Sequence, residues 1–144
     1  MDESCELTPG ISALDLATGG CHVACRLCGR GCVVTTCDAA AGMNPDVVCP
    51  AERPSFGDGC FDVVACRLAV RHFSDPGAAI AAIGEMARVS RRLVVIEDGP
   101  HNDERAEAAE RLRGPTHVRA CSRAEWLAML FAAGPEIVDA AERP

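Results

Sequence analysis

The chain has 144 residues and a mass of 15.1 kDa, enough for one domain with a sizeable buried core. Its net charge of −7, with arginines scattered among acidic residues, argues against a nucleic-acid partner. No signal-like segment opens it, and no apolar run approaches the ~18 residues of a membrane span, so we expect no membrane partner and a cytoplasmic location. We expect one domain over residues 1–144, with residues 1–10 forming a flexible N-terminal segment.

Ten cysteines make the chain cysteine-rich. Because cytoplasmic thiols are mostly held reduced, the even count does not imply five disulfides. We expect these residues to act first as small apolar side chains, and only second as metal ligands or redox thiols.

Six short runs are typical of strands. Most are continuously apolar, as in strands that helices cover on both faces, so the sheet should be mostly parallel. The predicted strands are Ser12–Leu16, Cys32–Cys37, Val47–Cys49, Phe61–Cys66, Leu93–Glu97 and Glu136–Asp139.

Capping residues mark two helix starts. Asp75 followed by Pro76 predicts a helix whose apolar stripe reaches Val89. Ser122 and Glu125 form a capping-box pattern for a later helix, which a Gly-Pro pair ends.

A polar surface helix is predicted over Asn102–Arg113. Strands and helices therefore alternate along the chain. The fold class is α/β.

The segment after the first strand predicts a nucleotide-type pocket. Asp15 ends that strand, Gly19 and Gly20 permit a sharp turn, and a helix N-terminus with unpaired N–H groups follows. Asp38 ends the second strand 23 residues after Asp15, where an acid can accept hydrogen bonds from both ribose hydroxyls. The spacing suits an adenosine ligand. The glycine loop lacks the glycine pattern of nicotinamide-cofactor sites.

These motifs resemble the class I S-adenosylmethionine-dependent methyltransferases, in the group that includes ubiquinone and menaquinone biosynthesis enzymes. The likeness runs from about Ser12 to Arg143. It rests on DLATGGC for the first loop, VVTTCD for the ribose strand, PAERPSFGDGCFDVVACRLAVRHFSDP for the acid-containing segment and fourth strand, RRLVVIED for the fifth strand, and THVRACSRAEWLAMLFAAGPEIVDA for the late helix and following strand.

The resemblance implies a Rossmann-like doubly wound sheet, S-adenosyl-L-methionine as cofactor, and methyl transfer to a small-molecule acceptor. Asp15 would lie near the methionine end of the cofactor, Asp38 would hold the ribose, and Glu52 would lie near the adenine. His72, at the end of the fourth strand, is the candidate general base. The implied cofactor-binding residues are Asp15, Ala17, Gly19, Gly20, Cys21, Asp38, Ala39, Ala51, Glu52 and Arg67.

The chain departs from the family pattern at several points. Cys21 stands where the loop has a glycine, and Pro50 stands where the adenine segment usually has an Asp. Only the eight residues Ala39 to Asp46 separate the second and third strands, too few for the usual crossover helix. After the sixth strand-like run no residues remain for the final antiparallel strand. The resulting open edge predicts self-association into a homo-oligomer.

Four of the cysteines, Cys21, Cys25, Cys28 and Cys32, recur at helical spacing. On one continuous helix they would span about 16 Å, too far for four thiolates to share one ion. This excludes a tetrahedral zinc site made by the helix alone, while a pair such as Cys25 and Cys28 could bind a soft metal with ligands from elsewhere. We assign no metal ligands, and expect these thiols to pack against the sheet in place of alanine and leucine.

Two alternatives to methyl transfer stay open at this stage. One is a non-catalytic remnant of the methyltransferase fold that acts as an interaction module. The other is a soft-metal or thiol-buffering protein. Cofactor binding would separate the first from an enzyme, and stoichiometric metal would identify the second.

Overall fold

The computed structural model describes residues 7–67, 75–97, 121–137 and 139. Five parallel strands form one sheet in the order β3-β2-β1-β4-β5. This is the expected mostly parallel α/β sheet. The strands are β1 (Ser12–Leu16), β2 (Val33–Asp38), β3 (Val47–Val48), β4 (Phe61–Arg67) and β5 (Ser90–Glu97).

Three α-helices are described, α1 (His22–Gly29), α2 (Pro76–Val89) and α3 (Arg123–Ala133). Both predicted cap signals are confirmed: the carboxylate of Asp75 accepts a hydrogen bond from the backbone at the start of α2, and the Ser122 capping box starts α3. None of the described helices has the length and apolarity that a membrane crossing requires.

The helices cover the two faces of the sheet. Leu27 of α1 packs with Ala13 and Val63 on one face. On the other face, Ile83 of α2 and Met129 of α3 lie in the larger apolar cluster. Burial on both faces explains why the inner strands β1 and β4 read as mostly apolar runs.

The connection between β2 and β3 is as short as the sequence predicts. It contains a single 3-10 turn, Ala41–Met43, and no α-helix. The side chain and backbone of Thr36 exchange hydrogen bonds with Asp46 at 2.8 to 3.0 Å, which fastens the start of β3 to β2.

The predicted sixth strand is wrong for the residues that are described. Glu136, Ile137 and Asp139 lie in no strand, and Ile137 is exposed. An apolar pair alone does not make a strand without a neighbouring strand to supply the ladder hydrogen bonds. The predicted helix Asn102–Arg113 and most of the N-terminal segment lie outside the described residues.

Arg88 of α2 anchors the segment that leads into β4. Its guanidinium donates to the carbonyl oxygen of Phe56 at 2.9 Å and to the Asp58 carboxylate at 2.8 Å, and Glu85 accepts from its other nitrogens. The backbone carbonyl of Arg88 also accepts from Gly59 N–H at 2.9 Å. The segment after β3 is therefore tied to α2, with which it shares the larger apolar cluster.

Ile83 gives a direct test of the larger core. Its side chain is 1 % exposed, so Ile83→Ala should lower the free energy of unfolding by about 2–5 kcal/mol through lost burial and a residual cavity. Ile80→Ala, one turn earlier at a half-buried position, should cost less. Urea unfolding of both variants measures the difference, and equal losses would contradict the described packing.

Candidate functional site

The candidate site lies at the point in the sheet where the strand order reverses, between β1 and β4. β1 is flanked by β2 on one side and β4 on the other. The described helices that follow β1 and β4, α1 and α2, pack on opposite faces of the sheet. In open parallel sheets, ligands bind beyond the carboxyl ends of the strands at such a point. Asp15, Asp38 and Arg67 lie at or near these strand ends.

Asp15 is buried, with 1 % of its surface exposed. Its Oδ2 accepts a hydrogen bond from Thr18 Oγ1 at 2.6 Å and another from the backbone N–H of Ala24 at 3.0 Å. Burial raises the pKa of this carboxyl above its ordinary value, the two hydrogen bonds lower it, and the nearby charge of Asp38 raises it further. Asp15 therefore connects the end of β1 to the loop and to α1.

The loop that follows has an unusual backbone. Ala17, Gly19 and Cys21 all have left-handed backbone angles, with φ of 58°, 49° and 60°. Glycine adopts this conformation freely, whereas a side chain with a Cβ atom is strained in it. The strain at Cys21 gives a physical reason for the glycine expected at this loop position. Ala17 is strained in the same way, which the sequence analysis did not detect.

Asp38 lies beside the loop. Its Oδ2 accepts from the backbone N–H of Gly19 at 3.0 Å, and its Oδ1 accepts from Ala40 N–H at 2.9 Å. The carboxylate is half-buried, Ala39 next to it is exposed, and Gly20 in the loop is exposed as well. The structure thus brings the predicted ribose acid and the glycine loop together.

The segment after β3 lies beside Asp38, at the carboxyl end of β2. Ala51 is buried in the larger core, and Glu52 next to it is half-buried. The backbone N–H of Cys49 donates to the carbonyl oxygen of Asp38 at 3.0 Å. Cys49 also forms a disulfide with Cys37. This bridge is an exception to the expectation of reduced thiols, whereas Cys21, Cys25, Cys28, Cys32 and Cys60 form no disulfide.

Arg67, another predicted site residue, is the last residue of β4. Arg67 Nε is 3.2 Å from Glu97 Oε1 in an ion pair with β5. That nitrogen is buried and has no well-aligned hydrogen bond in the described part of the chain. His72, the candidate general base, lies outside the described residues.

The expectation that the cysteine stripe packs against the sheet is wrong for α1. Cys25 and Cys28 are exposed, because the helix instead turns Ala24 and Leu27 toward the sheet. Cys32 is buried but lies beyond the helix end. Within residues 7–67, 75–97 and 121–137, no group of three or more His, Cys, Asp or Glu side chains is placed to hold a metal ion.

Thr18 is a site residue that the sequence analysis missed. It is 7 % exposed, and its hydroxyl is the closest partner of Asp15. A threonine three residues after a buried acid is a local signal, since hydroxyl groups at this spacing commonly bond back to a turn.

A comparison with protein families identifies residues 14–95 as a methyltransferase domain, a match to more than half of the chain. The chain belongs to this methyltransferase family. The matched stretch contains the end of β1 with Asp15, the loop, Asp38 and β4. Its fold is that of the class I S-adenosylmethionine-dependent methyltransferases, whose cofactor is S-adenosylmethionine.

Individual relatives agree with this family. The chain is 36% identical over 86 residues to a Bacillus subtilis protein named uncharacterized methyltransferase YcgJ, covering 57% of this chain and 34% of that protein. It is 38% identical over 102 residues to the demethylmenaquinone methyltransferase of Beutenbergia cavernae, covering 62% and 41%. The crystal structure of the Bacillus subtilis YcgJ protein superimposes with a TM-score of 0.69 at 27% identity, over 91% of this chain and 64% of that one. The chain thus spans less than half the length of these two curated relatives.

The described residues fit S-adenosylmethionine. A Cβ atom added at Gly19 would meet no other atom within 4 Å, so the space next to the loop is open. Asp38 has carboxylate lone pairs beyond those used by Gly19 and Ala40, which suits the two hydroxyls of a ribose. The first N–H groups of α1 add a positive dipole end for the carboxylate of a methionine group.

Replacing Cys21 by glycine should relieve the loop. Because Cys21 has a φ of 60°, Cys21→Gly removes strain and should stabilise the fold by roughly 1 kcal/mol. It also removes a side chain where backbone must approach the ligand, so S-adenosylmethionine should bind more tightly. Chemical denaturation and calorimetric titration measure the two effects.

Cys21→Ala is the matched control for this variant. It removes the thiol but keeps the Cβ atom, so the gain in stability should not appear. If alanine and glycine give the same stability and the same affinity, the backbone argument is wrong.

Asp15 gives a pH test. Its raised pKa means that the folded state binds its proton more tightly than the unfolded state, so the stability contributed by Asp15 falls as the pH rises above about 3.8. Asp15→Asn has no ionisable side chain at this position, so this pH dependence of stability disappears. As the pH rises from about 3.8 through the folded-state pKa of Asp15, the variant should therefore gain in stability relative to wild type, as measured by denaturant unfolding at each pH.

Asp62→Asn is a control of opposite sign. Hydrogen bonds from Ser12 lower the pKa of Asp62, so that carboxylate stabilises the fold above its ordinary pKa and this stability is lost in acid. The variant should therefore lose stability relative to wild type as the pH rises. Parallel pH profiles for all three proteins would contradict both assignments.

Proposed function

We propose that the chain binds S-adenosyl-L-methionine and transfers its methyl group to a small-molecule acceptor. The observation that carries the proposal is the hydrogen bond from Gly19 N–H to the Asp38 carboxylate, at the point where the strand order reverses. In a member of this family, that is the position of a ribose-binding acid. The proposal concerns the whole protein's activity, of which the described residues form the cofactor side.

Each part of the loop region has a role in this proposal. Asp38 accepts hydrogen bonds from the ribose, and the N-terminus of α1 receives the methionine carboxylate. Asp15 does not contact the cofactor through Oδ2, which Thr18 and Ala24 already use. It acts as a positioning residue that holds the loop in shape.

Ala51 and Glu52 form the adenine side in this proposal. Ala51 is held in the core, so its backbone gives a fixed wall, while Glu52 is half-buried and accessible. Pro50, which stands where the family usually has an acid, provides no side-chain acceptor. Glu52 is the acid in this segment that can replace it.

The cofactor supplies an electrophilic methyl group on a sulfonium sulfur. The chain's contribution is to orient the donor and exclude water, which can lower the barrier to a displacement without a fixed set of catalytic side chains. Asp15 and Asp38 also make the loop region electronegative, which favours a cationic ligand. His72 as general base stays a prediction.

The acceptor is proposed only as a class. Curated relatives include proteins named demethylmenaquinone methyltransferase, which supports a small molecule rather than a polymer. The net charge of −7 also disfavours nucleic acid as the acceptor. Self-association through an open sheet edge and a cytoplasmic location stay predictions.

Asp38 provides the test. Asp38→Asn replaces an ionised acceptor by an amide, so calorimetric titration should show S-adenosylmethionine binding at least about tenfold more weakly than in wild type. Asp58→Asn is the matched control, because it makes the same chemical change in the exposed segment before β4. Asp58 lies near the amino end of β4, whereas the site lies at the carboxyl ends of the strands, so the affinity should stay unchanged.

Wild-type affinity decides between the function classes. Binding in the micromolar range supports a methyltransferase, and transfer of a labelled methyl group to a candidate acceptor then measures turnover. No binding of S-adenosylmethionine or its demethylated product at millimolar concentration would overturn the proposal and leave the non-catalytic interaction module.

A further inference from the structure

The disulfide between Cys37 and Cys49 lies between the two proposed halves of the adenosine site. Cys37 directly precedes Asp38, and its carbonyl oxygen accepts a hydrogen bond from Thr18 N–H at 3.0 Å. Cys49 closely precedes Ala51 and Glu52, and its N–H donates to the Asp38 carbonyl. One covalent link thus joins the ribose acid to the segment proposed for the adenine.

Cys49 and Ala51 are buried in the larger core, but few contacts fix this segment directly to β2. β3 has two residues, and its partners in β2 are Cys37 and Asp38. No α-helix crosses between the two strands, and Thr36 with Asp46 supplies the side-chain hydrogen bonds at the start of β3. A crossover helix would normally fix β3 by packing on the sheet. The disulfide takes over part of that function.

We propose that the Cys37–Cys49 bridge is a positioning element of the cofactor site, so that the bridged protein binds S-adenosylmethionine more tightly than the dithiol form. The bridge holds Asp38 and the segment Pro50–Glu52 at a fixed separation. In the dithiol form that separation fluctuates, and binding must restrict it. The inference rests on the proposed function.

The two forms interconvert by thiol–disulfide exchange. Dithiothreitol, a dithiol, attacks one bridge sulfur as a thiolate; the S–S bond breaks, and a mixed disulfide forms. Its second thiolate then closes a cyclic disulfide. Two electrons and two protons pass to the protein, which leaves two cysteine thiols. A low-molecular-weight disulfide such as oxidised glutathione reverses the change.

Access to the bridge requires a local opening. Cys37 is 0 % exposed and Cys49 is 4 % exposed, so a reagent reaches them when the edge strand β3 separates from β2. Short edge elements open at low free energy compared with the core. Exchange should therefore occur without global unfolding.

The first experiment compares two states of the wild-type chain. Protein treated with oxidised glutathione and protein treated with dithiothreitol are each titrated with S-adenosylmethionine after removal of the reagent. Peptide mass mapping verifies the Cys37–Cys49 link. We expect the dithiol form to bind roughly tenfold more weakly. Hydrogen exchange at residues 46–52 should be faster in that form, even without cofactor.

Two variants isolate the bridge from the other thiols. Cys37→Ala with Cys49→Ala should bind as weakly as reduced wild type and should not respond to dithiothreitol. Cys32→Ala removes a buried, unbridged thiol on the opposite face of the sheet and should respond as wild type does. Should the double variant fail to fold, the wild-type comparison still decides the question.

The outcomes separate the two proposals. Equal affinity in the two verified forms, or a mapped oxidised protein without this link, overturns the positioning role and leaves the proposed function intact. A reductant effect that persists in the double variant also overturns it. No binding in either form overturns the proposed function, and the inference with it.

Discussion

A buried carboxylate, that of Asp15, shapes the loop between β1 and α1. Removing the Asp15 charge from water costs free energy, and the hydroxyl of Thr18 and the N–H of Ala24 offset part of that cost. The same two contacts fix where the loop begins and where α1 starts. Between these fixed ends the backbone must turn sharply, and Ala17 and Cys21 accept left-handed angles to do so. Loop shape therefore follows from its anchors and does not require glycine at every turn.

Much of the fold follows from local sequence signals. Asp75 and Ser122 mark helix starts because a side chain there satisfies a backbone N–H that the helix leaves unpaired. The inner strands are recognisable because helices cover both faces. The glycine loop and Asp38 could also be placed together, since the carboxyl ends of neighbouring parallel strands lie at one edge of the sheet.

Other features depend on contacts between distant residues. The Cys37–Cys49 bridge requires the register of β2 against β3, which no local pattern encodes. The orientation of α1 is decided by which residues meet the sheet, so equally spaced cysteines could face either side. β5 begins at Ser90 and not at Leu93, because Ser90 pairs with Phe61 of β4 and the exposed Arg91 forms an ion pair with Asp62 of the same strand.

The hydrogen bonds between Ser12 and Asp62 join residues 50 positions apart, at the centre of the sheet. Closing a loop of that length costs about 3.5 kcal/mol of chain entropy, before the constant part of the cost. During synthesis, β1 and β2 leave the ribosome well before β4 exists to pair with β1. The central strand therefore has one open side throughout this interval, so folding should be slow for a domain of this size and sensitive to chaperones.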